Sequence, residues 1–385
     1  MAETRRVAVA IDLSSAWRHH HGVFAGIERY AREHAHWKRV YQPYIGTLLN
    51  GRGKKAYHGI IARATAELAE QAAKAGVPVV NVWSGSPART VPSVLADYEA
   101  CGRMAAEHLL QRGFRRFAFH GHVRHLGTSL ALAGFKGALR AAKCRCTTLL
   151  ASPRRNESAR YWEQYVVRLE RWIGGWKPPL GVFAIQDIIC RYLANACQNA
   201  GLRIPEDVAL IGLGNEPVIC NSPEPSLSSF DAGFDRIGYE AAALLDRLMD
   251  GKAAPETPIF VEPTELVVRR STDIYVVADP LVASALLFIA NHSHENIRVG
   301  AVAKHVHATV RSLRRHFHAA LGRTRMEEIA RLRLERAKRL LVESDEPIKQ
   351  LASNCGYRDV KHFHKVFRAD EGTTPGEYCL RRRGK

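Results

Sequence analysis

Nowhere does the sequence hold a run of about 18 apolar residues, the minimum for a bilayer-spanning helix, so no transmembrane segment and no membrane partner are expected. No secretory leader is expected. Met1–Arg6 is short, polar and basic and runs straight into the strand-like Val7–Ile11. The 8 cysteines include no CxxC pair and no zinc-knuckle spacing, and only Cys144 and Cys146 stand near each other. Reduced thiols in a cytoplasmic protein are therefore expected. There is no G-x-S-x-G and no G-x-G-x-x-G, so neither a hydrolase elbow nor a dinucleotide loop is supported. His19-His20-His21 has no cysteine or carboxylate at ligand spacing, so no metal is expected. No cofactor and no enzymatic activity follow from these residues. Internal repeats and low-complexity segments are likewise missing.

Acidic residues are in short supply. Against 38 Asp and Glu stand 56 Lys and Arg, a net charge of +18. An excess this large points to a polyanionic partner. The charge is concentrated: Asp279 to Lys385 holds 21 basic and 12 acidic residues, so half the net charge lies in little more than a quarter of the chain. At 385 residues the chain is too long for one compact core and predicts two or three domains.

From Val7 to about Leu213, strand-like runs (Val7–Leu13, Gly59–Ala62, Val77–Trp83, Phe114–Gly121, Gly181–Ile185, Val208–Leu213) alternate with helical runs (Gly26–His34, Glu67–Ala75, Gly102–Arg112, Ile189–Ala200). This alternation predicts doubly wound α/β architecture with parallel sheets, arranged as two lobes. Ligands of such sheets sit beyond the carboxyl ends of the strands, here in an interlobe cleft. Near Arg269–Asp273 the pattern ends. Asp279-Pro280 then opens a region without strands, where apolar residues recur at helical spacing: Leu286, Ile289 and Ala290; Leu313 and Phe317; Ala337, Leu340 and Leu341; Phe363, Val366 and Phe367.

Two stretches of that region share one logic. Val302, Ala303 and Val306 mark a short helix, His307-Ala308 a turn, and Thr309 a cap for a helix that buries Leu313 and Phe317. Its other face carries Arg311, Arg314, Arg315 and His318. Ile348, Leu351 and Ala352, begun by Pro347, mark another short helix. Cys355-Gly356-Tyr357 is its turn, and Asp359 caps a helix that buries Phe363, Val366 and Phe367 and exposes Lys361, His362 and Lys365. A long helix, about 325–342, joins the two. Paired helices of this kind fit successive major-groove segments of duplex DNA.

Residues 297–383 resemble the AraC-type DNA-binding domain. The carrying motifs are Val302–Val306, Leu313–Phe317, Leu334–Leu341, and the stretch Ile348–Tyr378 with Gly356-Tyr357, Phe363, Phe367 and Gly372-Thr373-Thr374-Pro375. The resemblance implies base reading by Arg311, Arg314 and Arg315 in the first helix-turn-helix and by Lys361, His362 and Lys365 in the second. His307 stands where a small turn residue, often glycine, is usual.

Residues 5–272 resemble the core of the LacI/GalR regulators, the type I periplasmic-binding fold. Here the carriers are Asp97, Gly102, Ala106–Leu109 and Gly113-Phe114, then Gly201–Val208, Pro225-Ser226-Leu227 and Gly238–Ala242. The fusion of such a core to an AraC-type domain is similar to pentose-operon activators. The expected fold class is thus an α/β two-lobed type I periplasmic-binding-like sensor domain (residues 1–273) plus an all-α C-terminal domain with two helix-turn-helix units (residues 281–385), joined by a linker over 274–280. The fold implies lobes of about 5–120 plus 230–251 and 121–229 plus 252–272, with crossings near Gly121, Ser229 and Gly251. Asp187 and Asn215, each after a strand end, and Trp17 as a stacking ring are the implied effector contacts. Ala131 stands about where the family carries a sugar-gripping arginine, and Gly214 where an aspartate is common. The implied partners are double-stranded DNA, a small-molecule effector such as the pentose xylose, RNA polymerase, and a second copy in a homodimer. The implied function is sequence-specific activation of sugar-catabolism genes. The alternatives at this point are a ligand-binding protein that associates with nucleic acid non-specifically and a regulator whose effector is not a sugar.

Overall fold

The computed structural model describes residues 4–13, 18–34, 37–42, 57–151, 159–222, 225–277, 279–292, 297, 299–321, 325–343 and 346–383. Two compact units divide the chain, one of Met1–Leu110 and Arg115–Thr272, the other of Gln111–Phe114 and Asp273–Lys385. The first runs β1 (Arg5–Ala10), α1 (Arg18–His34), β2 (Trp37–Tyr41), β3 (Gly59–Ala62), α2 (Ala66–Ala75), β4 (Val79–Asn81), β5 (Val94–Ala96), α3 (Tyr98–Gln111), β6 (Phe117–Gly121), α4 (Leu126–Ala141), β7 (Cys146–Leu150) and α5 (Ala159–Gly174). It continues with β8 (Leu180–Ala184), α6 (Asp187–Asn199), β9 (Val208–Leu213), α7 (Pro217–Cys220), β10 (Ser228–Asp231), α8 (Phe234–Met249), β11 (Ile259–Val261), β12 (Glu265–Val267) and a 3₁₀ turn at Arg270–Thr272. The second runs α9 (Pro280–His292), α10 (Val299–His305), α11 (Val310–Leu321), α12 (Arg325–Glu343), α13 (Ile348–Asn354), α14 (Val360–Glu371) and α15 (Pro375–Arg383).

Among its described residues the first unit holds two main sheets. One is parallel, ordered β2-β1-β3-β4; the other is ordered β12-β10-β9-β8-β6-β7 and is parallel except for β12. β5 and β11 pair separately. The central strands read as unbroken apolar runs because helices cover both faces: every residue of β3, β6, β8 and β9 is buried. The second sheet's core is a cluster of rings, Phe119, Phe135 and Phe183, with Phe117 and Phe230 at its edges.

Glycines fix which helices belong to which lobe. A Cβ on Gly26 would lie 1.8 Å from the Asp235 carbonyl oxygen and one on Gly238 1.9 Å from that of Val23, so α1 and α8 touch backbone to backbone. The same holds for α3 and α4, where added Cβ atoms at Gly102 and Gly134 would meet the carbonyl oxygens of Ala131 and Glu99, both at 2.0 Å. Thus α3 belongs with the second sheet and α8 with the first.

These contacts move the expected crossings. The chain first crosses at Asp97, between β5 and α3, and not near Gly121, because β6 is an interior strand of the second sheet bonded to β7 and β8. It returns at Ala232–Gly233, three residues past the expected Ser229, because β10 completes its pairing first. It crosses finally between β11 and β12 and not near Gly251, because Ile259–Val261 still pairs with β5 of the first lobe.

Among its described residues the second unit is all helical, with two cores. Val282, Leu286, Ile289, Val302, Leu313, Phe317 and Ile329 form one; Leu334, Ala337, Leu341, Leu351, Phe363, Phe367 and Tyr378 form the other. Helix α12 feeds both, Ile329 into one and Leu334 onward into the other. The expected linker over 274–280 is not free chain: Tyr275 is buried in the first of these cores, Val277 packs against it, and Pro280 already begins α9.

Candidate effector cavity and helix-turn-helix elements

Between the lobes of the first unit lies a cavity of about 790 Å³. Its wall is built where parallel strands end and helices begin. Asp12 follows β1, Arg63 follows β3, and Val82, Trp83 and Ser84 follow β4; Gln186 and Asp187 follow β8, and Gly214 and Glu216 follow β9. His19, His20, His125 and Phe234 come from the first turns of helices or their caps. Strand ends are where backbone pairing stops and side chains are released toward a solute.

The Arg63 guanidinium lies 4.6 Å from the centre of the Trp83 ring. Its Nη1 is 3.1 Å from His20 Nε2, and His20 Nδ1 is 2.6 Å from the Asp12 carbonyl. A carbonyl only accepts, so Nδ1 carries the proton and Nε2 accepts from Arg63. Among the described residues, no hydrogen-bond partner meets the buried Arg63 Nε. Burial pushes His19 down to about 3 and His125 to about 4, and it also lowers His20, with the Arg63 charge adding to each. The cavity histidines are therefore neutral at neutral pH.

Across from them, Asp187 begins α6 and is 3 % exposed. Its Oδ2 accepts from the Glu216 N–H at 2.8 Å and its Oδ1 from the Ser229 hydroxyl at 2.5 Å. Burial nevertheless pushes its pKa up to about 6. Gln186 is held by His122, whose Nε2 donates to Oε1 at 2.9 Å. Ser84 donates to the Tyr98 hydroxyl at 3.2 Å. The wall thus offers a cation, carboxylates, neutral imidazoles and the apolar faces of Trp83, Tyr98 and Phe234. That mixture suits a small solute with hydroxyls on its edges and an apolar face.

Of the effector contacts expected from sequence, Asp187 lies on this wall. Asn215 does not: it sits in a left-handed conformation (φ 49°) and its Oδ1 accepts from Arg269 Nη2 at 2.8 Å. Trp17 lies outside the described residues. Ala131 is fully buried in the α3–α4 contact and is no part of the wall. The guanidinium on the wall comes from Arg63 instead. Gly214 is on the wall with φ 126°, and a Cβ there would stand 3.1 Å from Asp187 Oδ2, so an aspartate at 214 would crowd a second carboxylate against the first. Arg63, Trp83, His19 and His20 are wall residues that the sequence did not single out as effector contacts. The strand-end rule that selected Asp187 would have found the first two, had it been applied to β3 and β4.

In the second unit, α10 and α11 form one helix-turn-helix and α13 and α14 another. His307 takes φ 51° at the first turn and Gly356 φ 80° at the second. The histidine therefore adopts the left-handed conformation for which glycine is usual, a region where His is enriched among non-glycine residues. Thr309 Oγ1 accepts from the Ser312 N–H at 3.1 Å and Asp359 Oδ1 from the Lys361 N–H at 3.0 Å, capping α11 and α14. Leu313 and Phe317 point inward on α11, as do Phe363 and Phe367 on α14. Arg311, Arg314, Arg315, Lys361, His362 and Lys365 are all exposed. Lys338 of α12 bonds Asp370 at 2.8 Å and Glu371 at 2.5 Å, holding the end of α14 to the connecting helix. No helix among the described residues is long and apolar enough to cross a membrane, and no group of metal-binding side chains occurs among them.

Comparison with known proteins bears on both units. Residues 106–272 match a periplasmic binding protein-like domain and residues 302–383 a helix-turn-helix domain. The chain is 31 % identical over 328 residues to the xylose operon regulatory protein of Escherichia coli K12, covering 83 % of each chain. It is 29 % identical over 289 residues to the protein of the same name from Haemophilus influenzae, covering 75 % of each. The solved structure of a xylose-binding transcription activator, xylR, superposes with a TM-score of 0.58 at 27 % identity, covering 98 % of each chain.

Proposed function

The chain belongs to the family of the xylose operon regulatory proteins, and from that premise we propose that it is a sequence-specific DNA-binding transcription activator switched by a pentose such as xylose. The observation that carries the reading is the joining, in one chain, of a polar, ring-lined cavity at strand ends to two capped helix-turn-helix elements with exposed basic faces. Arg311, Arg314 and Arg315 on α11 and Lys361, His362 and Lys365 on α14 read base edges. Arginine is the side chain best shaped to read guanine O6 and N7. In the cavity, Arg63 donates to the hydroxyls, Asp187 and Glu216 accept from them, and Trp83 or Tyr98 covers the apolar sugar face. The reading assigns no reaction to these groups. It places the protein in the cytoplasm as a homodimer that recruits RNA polymerase.

Switching requires that the sugar bind one arrangement of the lobes more tightly than the other. The test has two arms on the full chain. A selection from randomised duplexes should enrich a defined sequence, and thermal shift against a panel of pentoses should show stabilisation by at least one at millimolar concentration. Salt-dependent binding without sequence preference would overturn the regulator reading. Absence of stabilisation by every pentose would overturn the sugar reading alone.

A further inference from the structure

The buried face of the cavity wall continues into the segment by which the chain leaves the first unit. Arg269 follows β12 and precedes the 3₁₀ turn at Arg270–Thr272. Its guanidinium donates to the side-chain oxygens of Asn215 (2.8 Å) and Asn221 (3.0 Å) and to the Leu227 carbonyl (2.9 Å). One fork thus holds the loop after β9, the end of α7 and the start of β10. All three acceptors are neutral, and the five-donor planar group fixes their mutual geometry.

Behind it lies a buried hydroxyl network. Ser228 donates to the Arg269 carbonyl (3.0 Å) and lies 2.7 Å from the Thr272 hydroxyl, while Ser271 donates to the Leu210 carbonyl (2.6 Å) and accepts from the Ser228 N–H (2.8 Å). Ser228, Ser271 and Thr272 are all fully buried. Ser229, next along β10, donates to Asp187 on the cavity wall. On the other side, Asn215 stands between Gly214 and Glu216, which both line the cavity. Asn215 therefore sits in the chain between two wall residues while its side chain bonds the exit segment. A solute that shifts the Gly214–Glu216 loop pulls on Arg269.

Resting on the effector reading above, we infer that the Asn215–Arg269 bond is a positioning couple: it links occupancy of the cavity to the placement of Arg270–Thr272, the last residues before the helical unit. Asn215 is then no effector contact. It transmits.

The test compares Asn215→Gly, which keeps the left-handed backbone and removes the acceptor, with Asn215→Asp, which keeps the acceptor, and with Arg269→Gln. Xylose affinity is measured by calorimetry on the full chain. Duplex affinity is measured by anisotropy, with and without saturating xylose, on the sequence the selection enriches. N215G and R269Q should bind xylose within about threefold of wild type while the xylose-induced change in duplex affinity falls by about fivefold or more. N215D should retain the change. A structural role alone would move both measurements or neither. N215G with an intact xylose response, or one whose xylose binding is lost together with the response, overturns the couple. A wild-type chain whose duplex affinity xylose leaves unchanged overturns the effector reading and the couple together.

Discussion

Arg63 and Trp83 stack across the ends of adjacent strands, guanidinium over ring at 4.6 Å. The pair lies on the cavity wall, where no partner for Nε occurs among the described residues. Arg63→Ala removes the donors and also frees the ring. Xylose affinity should fall at least tenfold, about 1.4 kcal/mol. Arg63→Lys should fall nearly as far, because an ammonium cannot reproduce the planar stack. Calorimetry checks both, and unchanged affinity in R63A would remove Arg63 from the site.

Acid should destabilise the first unit through its buried histidines. His120 is fully buried in β6 and burial pushes it down to about 3. A depressed base binds fewer protons folded than unfolded, so its contribution is present above the unfolded value near 6.5 and is lost as the pH falls toward 3. For His120 this is on the order of 4 kcal/mol. Asp187 runs the other way. Its pKa is raised to about 6, so its favourable contribution is full below about 3.8 and is lost as the pH rises through 6. The two slopes oppose each other between pH 4 and 6. Asp187→Asn should steepen the loss of stability on acidification, and His120→Gln should flatten it. All 6 tryptophans lie before residue 273, so tryptophan-monitored urea melts from pH 4 to 8 report this unit alone. Parallel curves for wild type and D187N would refute the assignment to Asp187.

What the sequence made legible follows from which signals are local. β3 and β9 were readable to the residue, since an apolar run covered on both faces has no other explanation. The lobe crossings were not. Whether β6 pairs with the first sheet or the second depends on Cys146–Leu150 and Leu180–Ala184, strands about 30 and 60 residues away, and no local pattern encodes that choice. The helix-turn-helix elements were fully legible because caps, turns and inward rings all act within about four residues. The cavity wall was half legible. Asp187 sits at a strand end that the apolar run marks, but Arg63 and His20 matter through each other, 43 residues apart, and only the fold joins them.

The first turn of the helical unit bears a cost that the second avoids. His307 holds φ 51°, and a β-branched side chain would strain there. His307→Gly should be neutral or stabilising by about 0.5 kcal/mol, and His307→Val should destabilise by about 1–2 kcal/mol. Amide exchange in α10 and α11 reads this locally. In H307V it should accelerate about tenfold while α13 and α14, with their own core, stay protected. Uniform acceleration across both elements would show that the two cores unfold together.

Arg314 is the sharpest probe of base reading. It follows Leu313, which is fully buried, so the backbone at 314 is fixed by the core while the side chain is free to reach outward. Arg314→Ala removes a guanidinium without disturbing that anchor. Duplex affinity should fall by about 1–3 kcal/mol, with preference lost at one base position and retained elsewhere. A phosphate contact would behave differently, weakening all sequences alike and reducing the salt slope by about one ion. Repeating the duplex selection with R314A, and measuring affinity at three salt concentrations, separates the two. A selected sequence identical to that of the wild type, with a shallower salt dependence, would move Arg314 from the base edges to the backbone.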